Sequence, residues 1–282
     1  MMRLFHISDL HFGLEDRTAL AWFEDVVRRD RPDAVLITGD LTMRARSHEF
    51  AAACDWIEGL DVPVTVEVGN HDLPYFNPLA RLFWPYARIR RIKRLVERAL
   101  DFPGLAVVPL KTTARAQWRL DWSKGRVTPR ALAKTLAAID ALPAGTKILV
   151  TAHHPLVEAD TKSRALTRGG EHALAELARR GVAAVLTGHV HDAFDLMKET
   201  DAGPIRMIGA GTLSQRIRST PPSFNQLSVA GGAIDVRVRN LAHVPTPDMQ
   251  IPAIPPDALP PRAPGEPVAP IRAIPPVDPP VH

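Results

Sequence analysis

Cysteine is almost missing from this sequence: its 282 residues include one, Cys54. That excludes an internal disulfide and any metal site built on several thiolates, and it fits a reducing compartment. No apolar run reaches the roughly 18 residues of a membrane-spanning helix. The start does not read as a secretory leader either. Arg3 is followed at once by Leu4-Phe5-His6-Ile7-Ser8-Asp9, which places polar groups where the apolar centre of a leader would stand. No segment repeats. These absences predict a soluble, cytoplasmic protein. An apolar share of 45% is enough for a sizeable core.

Proline is plentiful, with 27 residues, and it is gathered at one end. From about His243 onward come the pairs Pro255-Pro256, Pro260-Pro261, Pro275-Pro276 and Pro279-Pro280. Proline cannot donate to a strand ladder or continue a helix, so residues 241–282 are expected to be an extended, disordered tail. A solvated tail is the simpler reading, and a docking segment for a partner is the alternative. Residues 1–240 are expected to form the folded domain.

The formal net charge is +4, unevenly placed. Residues 73–100 hold Arg81, Arg88, Arg90, Arg91, Lys93, Arg94 and Arg98 against Glu97. In the same stretch Leu79, Leu82, Phe83, Tyr86, Ile89, Ile92, Val96 and Ala99 recur at helical spacing. The spacing predicts an amphipathic cap, broken near Pro85, with the arginines on the other face. A solvated basic face is the plain reading. A lid that attracts phosphate and a patch that touches anionic membrane are the sharper ones. Nucleic acid is not the expected partner, and the sequence leaves the oligomeric state open.

Five short apolar runs each end in a polar cluster. Leu4–Ser8 leads to Asp9-Leu10-His11, and Ala34–Thr38 to Gly39-Asp40. Val64–Val68 leads to Gly69-Asn70-His71-Asp72, Lys147–Ala152 to His153-His154-Pro155, and Ala183–Thr187 to Gly188-His189-Val190-His191. Each run is short, rich in valine, isoleucine, leucine or alanine and not strictly alternating, as a strand buried on both faces reads. Helical patterns lie between them, at Glu15–Arg29, Arg46–Gly59, Thr128–Ala141 and Gly170–Arg180. The alternation predicts an α/β fold with much parallel sheet, in which ligands bind beyond the carboxyl ends of the strands. After His191, Ile205–Ile208 and Gln226–Val238 read as strands of a second, more antiparallel region.

Aspartate, asparagine and histidine at strand ends offer oxygen and imidazole donors, which suit manganese, iron or zinc. In Asp9-x-His11 and His189-x-His191, residues two apart on an extended segment would point the same way. Asp40, after a glycine that permits a tight turn, suits a carboxylate shared by two cations. Two such cations about 3.5–4 Å apart can bind a phosphoryl oxygen and generate a hydroxide nucleophile. Each motif alone is weak, but five in order, each ending a buried strand, are specific. Arg216 and Arg218, after Gly209-Ala210-Gly211-Thr212, read as surface charges, with a phosphate contact as the alternative. Trp84, Trp118 and Trp122 read as packing residues rather than platforms for a base.

The series Asp9-x-His11, Gly39-Asp40, Gly69-Asn70-His71-Asp72, His153-His154-Pro155 and Gly188-His189-x-His191 resembles the calcineurin-like metallophosphoesterases over roughly Met1 to Val238. The resemblance implies a four-layer α-β-β-α sandwich with two divalent or mixed-valence ions at one edge. Asp9, His11 and His191 would hold the first ion, Asn70, His153 and His189 the second, and Asp40 would bridge them. His71 would assist the leaving group and Asp72 would orient its imidazole. His154 would stand behind the ligands.

The Asn-His-Asp form is similar to the branch of bacterial cyclic nucleotide phosphodiesterases and broad phosphodiesterases. The opening His6–Gly13 also looks like the nuclease branch. The lipid A pyrophosphatase branch typically has arginine where His71 stands. The resemblance therefore implies hydrolysis of a phosphate ester, with a diester or cyclic nucleotide as the expected substrate. A membrane-associated nucleotide-lipid or phospholipid phosphohydrolase and a non-catalytic scaffold are the alternatives.

Overall fold

The computed structural model describes residues 1–74, 77–97, 100, 102–114, 123–159, 161 and 167–241. Arg98, Ala99, Trp118, Trp122 and the proline-rich residues 242–282 lie outside the described residues.

Two five-stranded sheets form the centre. The first has the order β10 (Ala233–Asn240), β9 (Ser223–Ala230), β1 (Met2–Ile7), β2 (Ala34–Ile37) and β3 (Val64–Val66). The second runs β4 (Leu105–Pro109), β5 (Lys147–Thr151), β6 (Ala184–Thr187), β8 (Ile205–Gly209) and β7 (Phe194–Lys198). β1, β2 and β3 are parallel, as are β4, β5, β6 and β8. Among the described strands, β7, β9 and β10 run against their neighbours.

Strand periodicity explains the layering. In β2, Ala34 and Leu36 face the second sheet, while Val35 and Ile37 face outward into a helical layer. In β5, Leu149 joins the layer between the sheets, and Ile148 and Val150 face the opposite helices. Successive side chains on a strand point to opposite faces, so a run apolar at every position fills two layers at once. The first sheet is covered by α1 (Arg17–Asp30), α2 (Ser47–Gly59) and α4 (Ala87–Val96) through Phe23, Phe50, Ile57, Ile89 and Ile92. The second is covered by α5 (Pro129–Asp140) and α6 (Gly170–Arg179) through Leu132, Ile139, Leu174 and Leu177. The fold is the expected α-β-β-α sandwich.

Helix starts follow local chemistry. The Asp16 carboxylate accepts from Thr18 N and Ala19 N at 3.0 Å each and caps α1. Thr128 caps α5, with Pro129 in the first turn, where no N–H is needed.

Two expectations need correction. The chain after His191 is the more antiparallel part, as expected, since β7, β9 and β10 run against their neighbours, but it is not a second region. β8 inserts parallel to β6, and the β9–β10 hairpin closes on β1 through pairs such as Leu4–Leu227. The apolar face drawn through residues 79–99 is also two faces. Tyr86, Ile89, Ile92 and Val96 enter the core, whereas Leu79, Leu82 and Phe83, on the short helix α3 (Pro78–Phe83), are exposed, and so is Trp84. The break at Trp84–Tyr86 resets the helical phase, as a proline in that position dictates. Arg81, expected on the charged face, is buried.

Candidate metal centre

The carboxyl ends of β1, β2, β3, β5 and β6 meet at one edge of the sandwich, and the five polar clusters converge there. Asp9, His11, Asp40, His153 and His191 are almost fully buried. The segments carrying them are not extended. Asp9, His11, Asp40, His189 and His191 all have left-handed backbones, with φ between 47° and 70°. For residues with a Cβ this conformation is uncommon and strained, and it persists where the surroundings enforce it. Here backbone bonds to the next strand end do so: Asp9 N donates to Gly39 O and His11 N to Asp40 O, both at 3.0 Å. Each pair still aims both side chains into the centre, with Leu10 and Val190 buried between them.

Glycines permit the approach of the strand ends. Gly39 adopts φ +98°, and a Cβ there would lie 2.7 Å from both Gly69 N and His153 Nδ1. A Cβ on Gly69 would lie 1.9 Å from Asp40 Oδ1.

Two groups of donors form around the carboxylates. In the first, His191 Nε2 stands 3.2 Å from His11 Nε2 and 3.1 Å from Asp9 Oδ1, and His11 Nε2 is 3.6 Å from the same oxygen. In the second, His153 Nε2 lies 3.1 Å from Asn70 Oδ1 and 3.4 Å from Asp40 Oδ2. Asp40 Oδ2 also lies 3.8 Å from His11 Nε2, so this carboxylate stands between the groups. The His189 ring packs on the His153 ring at 5.2 Å between centroids.

The inner nitrogens are lone-pair donors. His153 Nδ1 donates to Thr38 O and His191 Nδ1 to Arg216 O, both at 2.7 Å. A carbonyl only accepts, so Nδ1 carries the proton, and in the neutral ring Nε2 offers its lone pair. Without a further proton on Nε2, lone pairs would face lone pairs at 3.1 to 3.4 Å, so the pocket needs either added protons or cations between these atoms. Asp9 Oδ1 and His11 Nδ1 are buried with no aligned hydrogen-bond partner among the described residues. Ligands about 2.0–2.2 Å from a common ion stand roughly 3.0–3.4 Å apart in tetrahedral or octahedral geometry. The donors thus fit cations, in their chemistry and in their spacing.

The protonation balance says the same. Burial opposes ionisation of Asp40, but the facing His153, together with His71 and His11, holds the carboxyl well below its usual range. Burial pulls His153 down, yet Asp40 raises it to about 9. Burial, with His153 beside it, pushes His189 down to about 3. A pocket with two buried carboxylates requires positive charge, from a histidine or from an ion.

His71 occupies the mouth. Its N–H donates to Asp40 Oδ1 at 2.8 Å, and its ring stands 4.8 Å from that of His11. The Asp72 carboxylate does not orient its imidazole, contrary to expectation. Asp72 Oδ1 accepts from Thr42 N at 2.9 Å and Oδ2 from Gly69 N at 2.9 Å, tying the Asp40 loop to the Asn70 loop. His71 Nδ1 donates instead to Met43 O at 2.7 Å. Burial and the nearby Asp40 charge push Asp72 up to about 7. His154 is engaged on both nitrogens, with Thr112 Oγ1 at 2.9 Å and Ser123 O at 2.8 Å, so it buttresses His153 and His189 from behind.

Arg216 is the residue that sequence reasoning misplaced. It is not a surface charge: its Nη1 lies 3.0 Å from His71 Nε2 and 3.4 Å from His11 Nε2. Arg218 is exposed, as expected. The one signal for Arg216 is its place in the loop that leaves β8, a strand parallel to β6 and ending on the same edge. Trp84, expected as a packing residue, is exposed.

Comparison with known proteins agrees with this geometry. The glycerophosphodiester phosphodiesterase GpdQ of Enterobacter lignolyticus is 34% identical over 94 residues, which cover 28% of this chain and 34% of that protein. The chain therefore spans about a third of the length of that relative. A Synechococcus protein named as a probable cyclic nucleotide phosphodiesterase is 26% identical over 207 residues, covering 67% of this chain and 72% of its own. The solved structure of a dimetal phosphatase from Danio rerio shares the fold, with a TM-score of 0.62 at 15% identity, over 85% of this chain and 96% of that one. The family model for calcineurin-like phosphoesterases matches residues 2–193, a span that contains all seven expected ligands, and the chain belongs to that family.

Proposed function

We propose that this chain hydrolyses phosphate diesters, cyclic nucleotides among them, at a centre for two divalent cations. The observation that carries the reading is the convergence of lone-pair donors on Asp9 and Asp40. Asp9 Oδ1 is buried with no aligned hydrogen-bond donor among the described residues, and Asp40 Oδ2 stands between the two donor groups. The named relatives, a glycerophosphodiesterase and a cyclic nucleotide phosphodiesterase, support a diester over a monoester.

Asp9, His11 and His191 would hold one cation, Asn70, His153 and His189 the other, and Asp40 both. When bound, the two cations would draw in the phosphoryl oxygens and supply an activated water at neutral pH. The chain's own groups do the rest. Thr38 O and Arg216 O fix the ring orientation of His153 and His191, so the inner nitrogens cannot turn away. Asp72 locks the Thr42 and Gly69 loops together and keeps Asn70 and His71 in register.

Arg216 would bind the substrate's anionic oxygen. Its Nη1 lies 3.0 Å from His71 Nε2, a weaker acceptor than a phosphate. A phosphoryl group that drew the guanidinium away would leave Nε2 free to take up a proton from water and pass it to the leaving oxygen, while Nδ1 keeps its own on Met43 O.

The test is hydrolysis of bis(p-nitrophenyl) phosphate beside p-nitrophenyl phosphate, with manganese added and Asp40→Ala as the blank. Diester turnover lost in the variant is the expected result. Absence of turnover with manganese, iron and zinc would overturn the reading.

A further inference from the structure

The helices α3 and α4 carry a surface that the catalytic reading does not use. Four large apolar side chains stand in solvent within six residues: Leu79 is 68% exposed, Leu82 48%, Phe83 58% and Trp84 67%. A cluster of this kind on a folded chain marks an interaction surface. It does not result from a loose helix pair. Ile89, Ile92 and Val96 anchor α4 in the core, and Lys93 is pinned by Glu97 at 3.0 Å and by Val66 O.

The anchoring leaves the opposite face of α4 outward, with Arg90, Arg91 and Arg94 exposed and Leu95 beside them. None of these arginines has an ion-pair partner among the described residues. Arginine beside exposed leucine, phenylalanine and tryptophan matches the two layers of a bilayer interface. The cations meet anionic headgroups, and the aromatic and aliphatic groups enter the acyl boundary. A second copy of the chain fits poorly, because a two-fold contact would oppose one arginine face to another.

The surface is coupled to the candidate centre. Arg88 Nη1 donates to Ala45 O at 2.6 Å, on the loop whose Met43 O holds the His71 ring. Leu73, directly after Asp72, is fully buried, so the chain enters α3 from a fixed point next to the centre.

We propose that α3 and α4 dock this protein on an anionic lipid bilayer, Leu79, Leu82, Phe83 and Trp84 entering the interface while Arg90, Arg91 and Arg94 bind acidic headgroups. Together with the function proposed above, on which this clause rests, docking would present the centre to the phosphodiester groups of lipids.

The experiment is cosedimentation of the full chain with vesicles of phosphatidylglycerol in phosphatidylcholine, against phosphatidylcholine alone, at low and high salt. The expected result is binding to the anionic vesicles that salt reverses. Leu82→Ser with Phe83→Ser and Trp84→Ser should weaken binding at least tenfold. Arg90→Gln with Arg91→Gln and Arg94→Gln should do so by roughly a hundredfold, at about fivefold per cation. These substitutions lie on exposed positions, and circular dichroism checks that each variant is folded. No binding of folded protein to anionic vesicles at low salt would overturn the proposal. So would binding that survives both sets of substitutions, or patch-dependent self-association in place of vesicle binding. Binding is read without turnover, so its failure is separable from failure of the diesterase reading.

Discussion

Replacing Arg216 with methionine isolates the contribution of one guanidinium. Methionine keeps most of the side chain's length and removes the charge. The backbone contacts survive the change: Arg216 O accepts from His191 Nδ1 at 2.7 Å, and its N–H donates to Ser214 Oγ at 3.3 Å. What is lost is Nη1, which reaches 3.0 Å from His71 Nε2 and would bind a phosphoryl oxygen of the substrate. A hydrogen bond to a charged group contributes about 1.5–3 kcal/mol. At about 1.36 kcal/mol per factor of ten, kcat/KM for bis(p-nitrophenyl) phosphate should fall roughly 10- to 150-fold. Arg216→Lys should recover part of that, since lysine supplies a point charge without the planar fork. The assay is steady-state hydrolysis with manganese, with metal content measured on each variant. A loss below twofold at wild-type metal content would refute the role, and the guanidinium would then serve only to fill the space beside His71.

Further expectations follow from the geometry. Gly69→Ala alters no ligand, yet its Cβ would meet Asp40 Oδ1 at 1.9 Å. Manganese should raise the melting temperature of the wild type and not of this variant, and a retained rise would show that Asp40 is not shared between ions. His154→Ala removes the contacts with Thr112 Oγ1 and Ser123 O in a buried position. It should cost about 1–3 kcal/mol in denaturant unfolding, while manganese still binds. Glu67 accepts from Thr151 Oγ1 at 3.0 Å, and burial raises its carboxyl to about 7. A carboxyl raised on folding stabilises fully below its unfolded value, near 4.5, and that contribution is lost as pH climbs through about 7. Wild type should therefore lose roughly 2–3 kcal/mol between pH 4.5 and 8 relative to Glu67→Gln. Parallel stability profiles for the two proteins would refute this.

The elements and ligands were legible for a common reason. A strand buried on both faces is mostly apolar without alternating, so Leu4–Ile7, Ala34–Ile37 and Lys147–Thr151 stand out in the sequence. Ion-binding chemistry then needs particular residue types just beyond those runs. Strands without that regularity escaped. β4 was missed because it is only half-buried and ends in Pro109, and β7 because its side chains alternate between half-buried and exposed.

What the sequence determined by itself was therefore local: residue types, their spacing, and the buried strands they terminate. Tertiary structure alone decided which distant groups meet. Arg216 follows a glycine-rich turn like many surface arginines, and only the parallel insertion of β8 beside β6 carries it to His71. Asp72 sits next to His71 in sequence, yet its oxygens face Thr42 N and Gly69 N. The left-handed turns at Asp9, His11 and Asp40 are likewise held by backbone bonds between strand ends, and that at His189 by its N–H on Asp9 Oδ2. Neighbours in sequence share a backbone direction, whereas partners in a site are chosen by packing and hydrogen bonding across the fold.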